Sequence, residues 1–332
     1  PHWLRHGAPL GIVEHIDSAG VFPAVATDEP VADPAALYSE LAGWSNYSSA
    51  EEQPDVVADL LGAQEAKGHC KFFDSLPDLC EFLDVDSVVL TKLALISKEK
   101  GDGTYKHRLI WDLLRSQVNS SVVLPERIVL PRVQDAVDDA TALLRFGYGG
   151  LEWLVLDVAD AFHNVPLRKS ERRYCCGKVG ERFVVFLVLC MGGKSSPNIW
   201  GRYAACIGRI LASIFRADEF RSEIYVDDPL LAATGSMARR TKVFTMALLC
   251  LECIGFPLAW AKGVLGTDIT WIGARFSTLR TTDMGVRVSI PDDKLAAILK
   301  LILELRHLAV APRKDVRSFC GKLSFVGGML PY

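Results

Sequence analysis

Four carboxylates carry the chemistry that the residue spacing allows. Asp157 follows the apolar run Trp153–Leu156, and Asp160 comes three residues later. Asp227 and Asp228 stand together about 70 residues downstream, in a tight Asp227-Asp228-Pro229 connection between Glu223–Val226 and Leu230–Thr234. A single Asp at a strand end is ordinarily a turn or cap residue. Asp157, Asp227 and Asp228 brought to one place repel one another unless a cation lies between them. Hard oxygen donors of this kind suit Mg²⁺ or Mn²⁺. Two such ions, about 4 Å apart, activate a hydroxyl and steady a departing pyrophosphate, which is the chemistry of nucleotidyl transfer.

The flanking elements decide whether these residues meet. Trp153–Leu156 reads as a strand, and Phe183–Met191, the longest apolar run at nine residues, as a buried strand. Ser196 and Pro197 fit the cap and first turn of a helix. Its apolar side carries Trp200, Tyr203, Ile207, Ile210, Leu211 and Ile214. Glu223–Val226 and Leu230–Thr234 follow as short strands, then a helix from Ser236 to a stop at Gly255, then a closing strand at Thr270–Gly273. Strand, helix, strand, strand, helix, strand is the split βαβ order of ferredoxin-like domains. With the first and second strands as neighbours, Asp157 and the Asp227-Asp228 pair converge at one sheet edge. Upstream, Lys92–Lys98 and Arg108–Trp111 read as a hairpin around Gly101-Asp102-Gly103. Pro131 opens a helix that Gly147 can end, and Pro291 and Pro312 open two more. Residues 1–90 hold short helices near 34–42, 54–67 and 76–83 and no chemical motif.

The chain has 332 residues, 50% apolar and 23% charged, enough for one large domain or two to three subdomains. That excludes a disordered tail, a small disulfide-stapled module and a collagen-like fibre. No run of 18 uncharged apolar residues predicts a membrane span. No signal peptide is visible, so an intracellular, non-secreted protein is expected. The chain opens on Pro1 and not Met, as a fragment of a longer protein would. Nine scattered cysteines form no disulfide framework and fit a reducing compartment. Cys250 and Cys253 fall inside a helical pattern and read as buried structural residues. Residues 1–90 carry 3 Lys/Arg against 16 Asp/Glu, and residues 91–332 carry 34 against 24. A basic body behind an acidic leader points to a polyanionic partner.

Several segments resemble the reverse transcriptase family. Leu156-Asp157-Val158-Ala159-Asp160-Ala161-Phe162, followed by Val165-Pro166-Leu167, resembles its motif A. Tyr225-Val226-Asp227-Asp228 resembles motif C, and Met191-Gly192-Gly193-Lys194-Ser195-Ser196-Pro197 resembles motif B. Lys106–Asp112, ending at Asn119, is similar to the fingers motif. Gly255-Phe256 with Lys262 resembles motif D, and Trp271-Ile272-Gly273 the primer grip. Arg317–Leu323 is similar to the segment after the thumb in retrotransposon polyproteins. The matches run in family order over residues 90–330, in the manner of a retrotransposon polymerase of the long-terminal-repeat or tyrosine-recombinase type.

The resemblance implies an α+β right-hand polymerase with fingers, a ferredoxin-like palm and a helical thumb. It divides the chain into an acidic leader (1–90), fingers (91–150 and 167–195), palm (151–166 and 196–275), and thumb with the start of a connection (276–332). It implies that Asp157, Asp227, Asp228 and the Val158 carbonyl hold two Mg²⁺, with Mn²⁺ as a substitute. Lys98, Lys100 and Arg108 would meet the triphosphate, as point charges and a guanidinium fork. Asp160, Ala161, Phe162, Met191 and Gly192 would surround the nucleotide, with Phe162 excluding a ribose 2′-hydroxyl. Met191 departs from the glutamine of many relatives and cannot make an amide hydrogen bond there. Lys262 would place an ammonium near the pyrophosphate as a general acid, while Asp112 orients the fingers. Tyr225, Trp271, Gly273, Arg172 and Arg173 would meet primer and template. Arg168, Lys169, Lys178 and Arg182 extend a basic patch, and Arg202, Arg209 and Arg216 form a helical stripe that could follow a template backbone. The implied partners are an RNA template, a DNA primer and deoxynucleoside triphosphates, with no membrane. Two other readings stand beside this one: an inactive element relic or RNA-binding scaffold, and an RNA-dependent RNA polymerase, against which Phe162 argues.

Overall fold

The computed structural model describes residues 2–26, 44–146, 149–279 and 285–329. The helix expected at 34–42 and the stop expected at Gly147 lie outside the described residues. The chain divides into two compact units, residues 1–129 with 160–203, and residues 130–159 with 204–332.

The second unit is built on a four-stranded sheet. Its order is Phe220–Tyr225, Asp228–Thr234, Leu151–Val155, Val264–Gly266, and each neighbouring pair is antiparallel. In chain order this is second, third, first, fourth, the ferredoxin-like arrangement. Two expectations change. The first strand pairs with the third and not the second, with Val155 facing Leu230. The fourth strand is Val264–Gly266, where Leu265 faces Leu154. Thr270–Gly273 instead contributes to a separate sheet of Asp268–Trp271, Ala274–Leu279 and Gly285–Ser289. Asp268 fixes that fold-back by accepting from Arg275 at 2.8 Å and from Ser277 at 2.9 Å.

Helix Val133–Arg145 repeats its apolar residues at helical spacing. Val133, Ala136, Ala140 and Leu143 pack on Leu151, Trp153, Leu230 and Ala232. Expected with the fingers, this helix belongs to the second unit because its apolar stripe closes over that sheet. Helix Met237–Cys253 is capped by Ser236, whose Oγ accepts the Arg239 N–H at 3.3 Å, and buries Val243, Phe244, Ala247 and Leu251. Leu248 is only half-buried, Cys250 is half-buried and Cys253 is exposed, so the cysteine pair is not sealed in the core. Helices Asp292–Leu305 and Arg313–Gly327 begin after Pro291 and Pro312 and lie against each other.

In the first unit, Cys70–Phe73, Arg182–Phe186 and Cys176–Val179 form an antiparallel sheet. Of the run Phe183–Met191, only Phe183–Phe186 is strand; the chain turns at Leu187, whose N–H donates to the His69 carbonyl at 2.9 Å. Leu93–Glu99 and Tyr105–Trp111 form the expected hairpin. The acidic leader does not stand apart. Buried Glu171 accepts the Leu10 and Glu14 N–H groups at 2.7 and 2.8 Å. Buried Glu126 accepts Ser18 Oγ and the Ala19 and Gly20 N–H groups at 2.8, 2.7 and 2.6 Å. Ala8 also pairs with the 166–168 segment.

Candidate active site

The sheet of the second unit gathers the carboxylates. Beyond the last paired residue of strand Leu151–Val155, the Leu156 N–H donates to the Pro229 carbonyl at 2.9 Å. The Val158 N–H donates to the Asp227 carbonyl at 2.7 Å, and the Ala259 N–H to the Asp157 carbonyl at 2.9 Å. These bonds hold Asp157 opposite the Asp227-Asp228 turn. Convergence thus follows from the first and third strands, whose facing ends carry the three residues. Val226 takes the left-handed region at φ 53°, where a β-branched side chain is rare.

Asp227 is exposed, and Asp157 and Asp228 are half-buried. Burial, then the charges of Asp227 and Asp157, push the Asp228 carboxyl up to about 6, against the pull of Lys262. The Lys262 ammonium donates to both Asp157 oxygens, at 2.7 and 2.8 Å. That bond raises its own affinity for a proton, with the neighbouring carboxylates adding to the effect. The donor set is all oxygen, which suits Mg²⁺ and Mn²⁺. Among the described residues, no three His, Cys, Asp or Glu side chains already converge as a metal cage. The cation that Asp157 faces here is Lys262.

The nucleotide-facing candidates lie in the first unit. On the hairpin, Lys98 faces Lys106 and Ile96 faces Arg108, so both lysines and Arg108 share one face. Lys100 sits at the turn, its N–H on the Thr104 carbonyl at 2.7 Å. Lys98, Lys100, Lys106 and Arg108 are exposed. Asp112 accepts from Tyr47 Oη at 2.5 Å and from the Arg115 N–H at 3.0 Å. Arg108, Asp160, His163 and Met191 line one cavity of about 190 Å³ over Trp111 and Phe186. Met191 is 49% exposed at its mouth. Ala161 is buried, and Phe162 half-buried, in the short 3₁₀ turn Ala161–Asn164. Gly192 holds φ 101°, and Asn119 brackets its loop. Asn119 Nδ2 donates to the Gly192 carbonyl at 2.9 Å, and its Oδ1 accepts the Lys194 N–H at 2.8 Å.

Several of the expected site residues also have partners within the chain. Asp160 is ion-paired to Lys67 at 2.6 Å. Arg172 donates to the Leu167 carbonyl at 3.0 Å and Arg173 to Ser87 Oγ at 2.7 Å, and both are half-buried. Arg168 pairs with Glu14, and Arg182 with Asp74 at 3.1 Å in an exposed ion pair. The arginine stripe is broken. Arg202 is buried against Glu126 at 2.9 Å, and Arg216 lies past the helix end on Asp218. Tyr225 packs, partly buried, against the core cluster that includes Trp153 and Trp271. Trp271 is 1% exposed, and its Nε1–H donates to the Asp228 carbonyl at 2.9 Å. Gly273 lies beneath the Lys294 ammonium, which donates to its carbonyl at 3.2 Å. The sequence reading gave no role to Lys67 or Glu126, and it named Asn119 only as the end of the fingers motif. Of the two, only Lys67 had a signal, as one of three basic residues in the leader.

No protein-family model and no curated protein sequence matches the chain. Solved structures do. Foamy viral protease-reverse transcriptase in complex with double-stranded DNA superposes at TM-score 0.59 with 16% identity, over 92% of this chain and 44% of that one. A second double-stranded DNA complex gives 0.59, 14%, 91% and 52%, and a complex with RNA/DNA hybrid gives 0.59, 15%, 85% and 32%. This chain has the reverse transcriptase polymerase fold. It spans between 32% and 52% of the length of those three neighbours. In the terms of that fold, the sheet bearing Asp157, Asp227 and Asp228 is a palm. No helix among the described residues is long and apolar enough to cross a membrane.

Proposed function

We propose that the chain is a reverse transcriptase of a retroelement, of the long-terminal-repeat or tyrosine-recombinase type. It adds deoxynucleotides to a primer 3′-end on an RNA template, and on DNA templates as well. The observation that carries this reading is the backbone pairing that sets Asp157 beside the Asp227-Asp228 turn at one edge of a palm sheet. Those carboxylates, with the Val158 carbonyl, would hold two Mg²⁺, or Mn²⁺ in their place. When bound, the ions make the primer hydroxyl more acidic and neutralise charge on the departing pyrophosphate.

The chain's own residues have defined tasks in this reading. Asp228, whose carboxyl burial and its acidic neighbours raise to about 6, would serve the ions as a carboxylate oxygen donor. Lys262 leaves Asp157 and offers its ammonium to the pyrophosphate, where it can donate a proton. Arg108 grips phosphate oxygens with its fork, and Lys98 and Lys100 add positive charge on the same hairpin. Phe162 excludes the 2′-hydroxyl, which favours deoxynucleotides over the substrates of an RNA polymerase. RNA template, DNA primer and deoxynucleoside triphosphates are the partners, and the protein acts inside the cell.

Primer extension on an RNA template with deoxynucleotides and Mg²⁺ or Mn²⁺ tests the reading, beside Asp227→Asn. Extension by the native chain that disappears in the variant is the expected result. Folded protein that binds primer–template but extends nothing would instead be a scaffold without chemistry.

A further inference from the structure

The hairpin assigned by sequence to the primer is turned toward the catalytic residues. Trp271 is sealed in the core, out of reach of a primer. Three consecutive carbonyls of the catalytic turn each have a donor: Val158 N–H on Asp227, Trp271 Nε1–H on Asp228, and Leu156 N–H on Pro229. Two of these donors are backbone groups just past the first palm strand. The third is a side chain from a different sheet. It fixes Asp228, two residues after Val226 with its left-handed backbone.

The other end of the hairpin is held as firmly. Ile272 and Gly273 turn the chain at φ 38° and 81°. The Lys294 ammonium donates to the Gly273 carbonyl at 3.2 Å and lies over the Phe325 ring, 4.6 Å from its centroid. A Cβ on Gly273 would collide with that ammonium and come within 2.8 Å of the ring. Lys294 belongs to helix Asp292–Leu305 and Phe325 to helix Arg313–Gly327. A continuous series of contacts therefore runs from Asp228 through Trp271 and Gly273 to the two C-terminal helices.

We propose that Trp271 is a positioning residue that fixes Asp228, and that Lys294 and Phe325 lock its hairpin in place. The helix pair thereby biases the geometry of the catalytic turn. The kinetic consequence rests on the polymerase reading; the structural one does not.

Trp271→Phe keeps a large ring in the core and deletes the N–H donor. Hydrogen exchange of the backbone amides of residues 224–230, Pro229 excepted, is expected to quicken about fivefold, the effect of losing one neutral hydrogen bond. In primer extension, kcat should fall about fivefold while KM for deoxynucleotide holds within about twofold. A purely structural role would not divide kcat from KM in this way. Lys294→Met should move both readouts in the same direction by less. Unchanged exchange at 224–230 in folded Trp271→Phe would overturn the inference, whether or not the protein polymerises. If the native chain extends no primer, the polymerase reading falls and the exchange result still decides this one. Should Trp271→Phe fail to fold, Lys294→Met decides by the same measurement, with quickened exchange supporting the inference and unchanged exchange overturning it.

Discussion

Glu223 gives the palm an acid-dependent stability. It lies on strand Phe220–Tyr225 opposite Leu230, half-buried beside Asp139 of helix Val133–Arg145. Burial raises both carboxyls, and Arg221, 3.8 Å from Asp139, restrains the rise of Asp139. Asp139 and Asp135 add to burial and push Glu223 up to about 7, from 4.5 in the unfolded chain. Between those values the folded chain holds a proton that the unfolded chain lacks. Stability therefore falls as pH rises through that window and levels off above it. The full shift corresponds to about 3.5 kcal/mol at about 1.4 kcal/mol per pH unit, of which about 2–3 kcal/mol falls between about pH 5 and pH 8. Glu223→Gln keeps an amide that can donate to Asp139 and removes the titration. In urea denaturation, the native chain should lose about 2–3 kcal/mol relative to the variant between about pH 5 and pH 8. Parallel profiles for the two proteins would refute the reasoning.

Arg202→Met should cost the first unit about 3–5 kcal/mol, because Glu126 is left buried without its cation; urea denaturation reads the loss, and the Arg202→Met/Glu126→Gln pair should recover part of it. Lys262→Met removes the ammonium from Asp157. Mg²⁺ should then raise the melting temperature of the variant more than that of the native chain, and equal shifts would mean that Lys262 and the ion do not compete.

The order of palm elements and the Asp157, Asp227 and Asp228 constellation were legible because they depend on local runs and turns. Strand partners were not. Val264–Gly266 and Thr270–Gly273 are both short and apolar, and only the open edge beside Leu154 selects the first. Arg202 sits at a helix position that reads as solvated, yet Glu126, 76 residues away, draws it into the core. The leader reads only as an acidic stretch with short helices and no chemical motif, because no sequence signal marks a buried glutamate that accepts backbone N–H groups. Glu171 and Glu126 both do so. Trp271 looks like a primer contact by motif, and its indole bond to Asp228 depends on how a different sheet packs.

The interleaving of the two units sets a timetable for synthesis. Strand Cys70–Phe73 has no partner until Arg182–Phe186 leaves the ribosome, and Leu151–Val155 waits for both Asp228–Thr234 and Val264–Gly266. Long-range antiparallel pairing of this kind is slow, and it leaves apolar strands uncovered meanwhile. At about 5–20 residues per second, the 110-residue gap between Phe73 and Phe183 is bridged only after roughly 5–20 seconds. Nascent chains halted between those points should therefore be the species that chaperones hold and proteases cut.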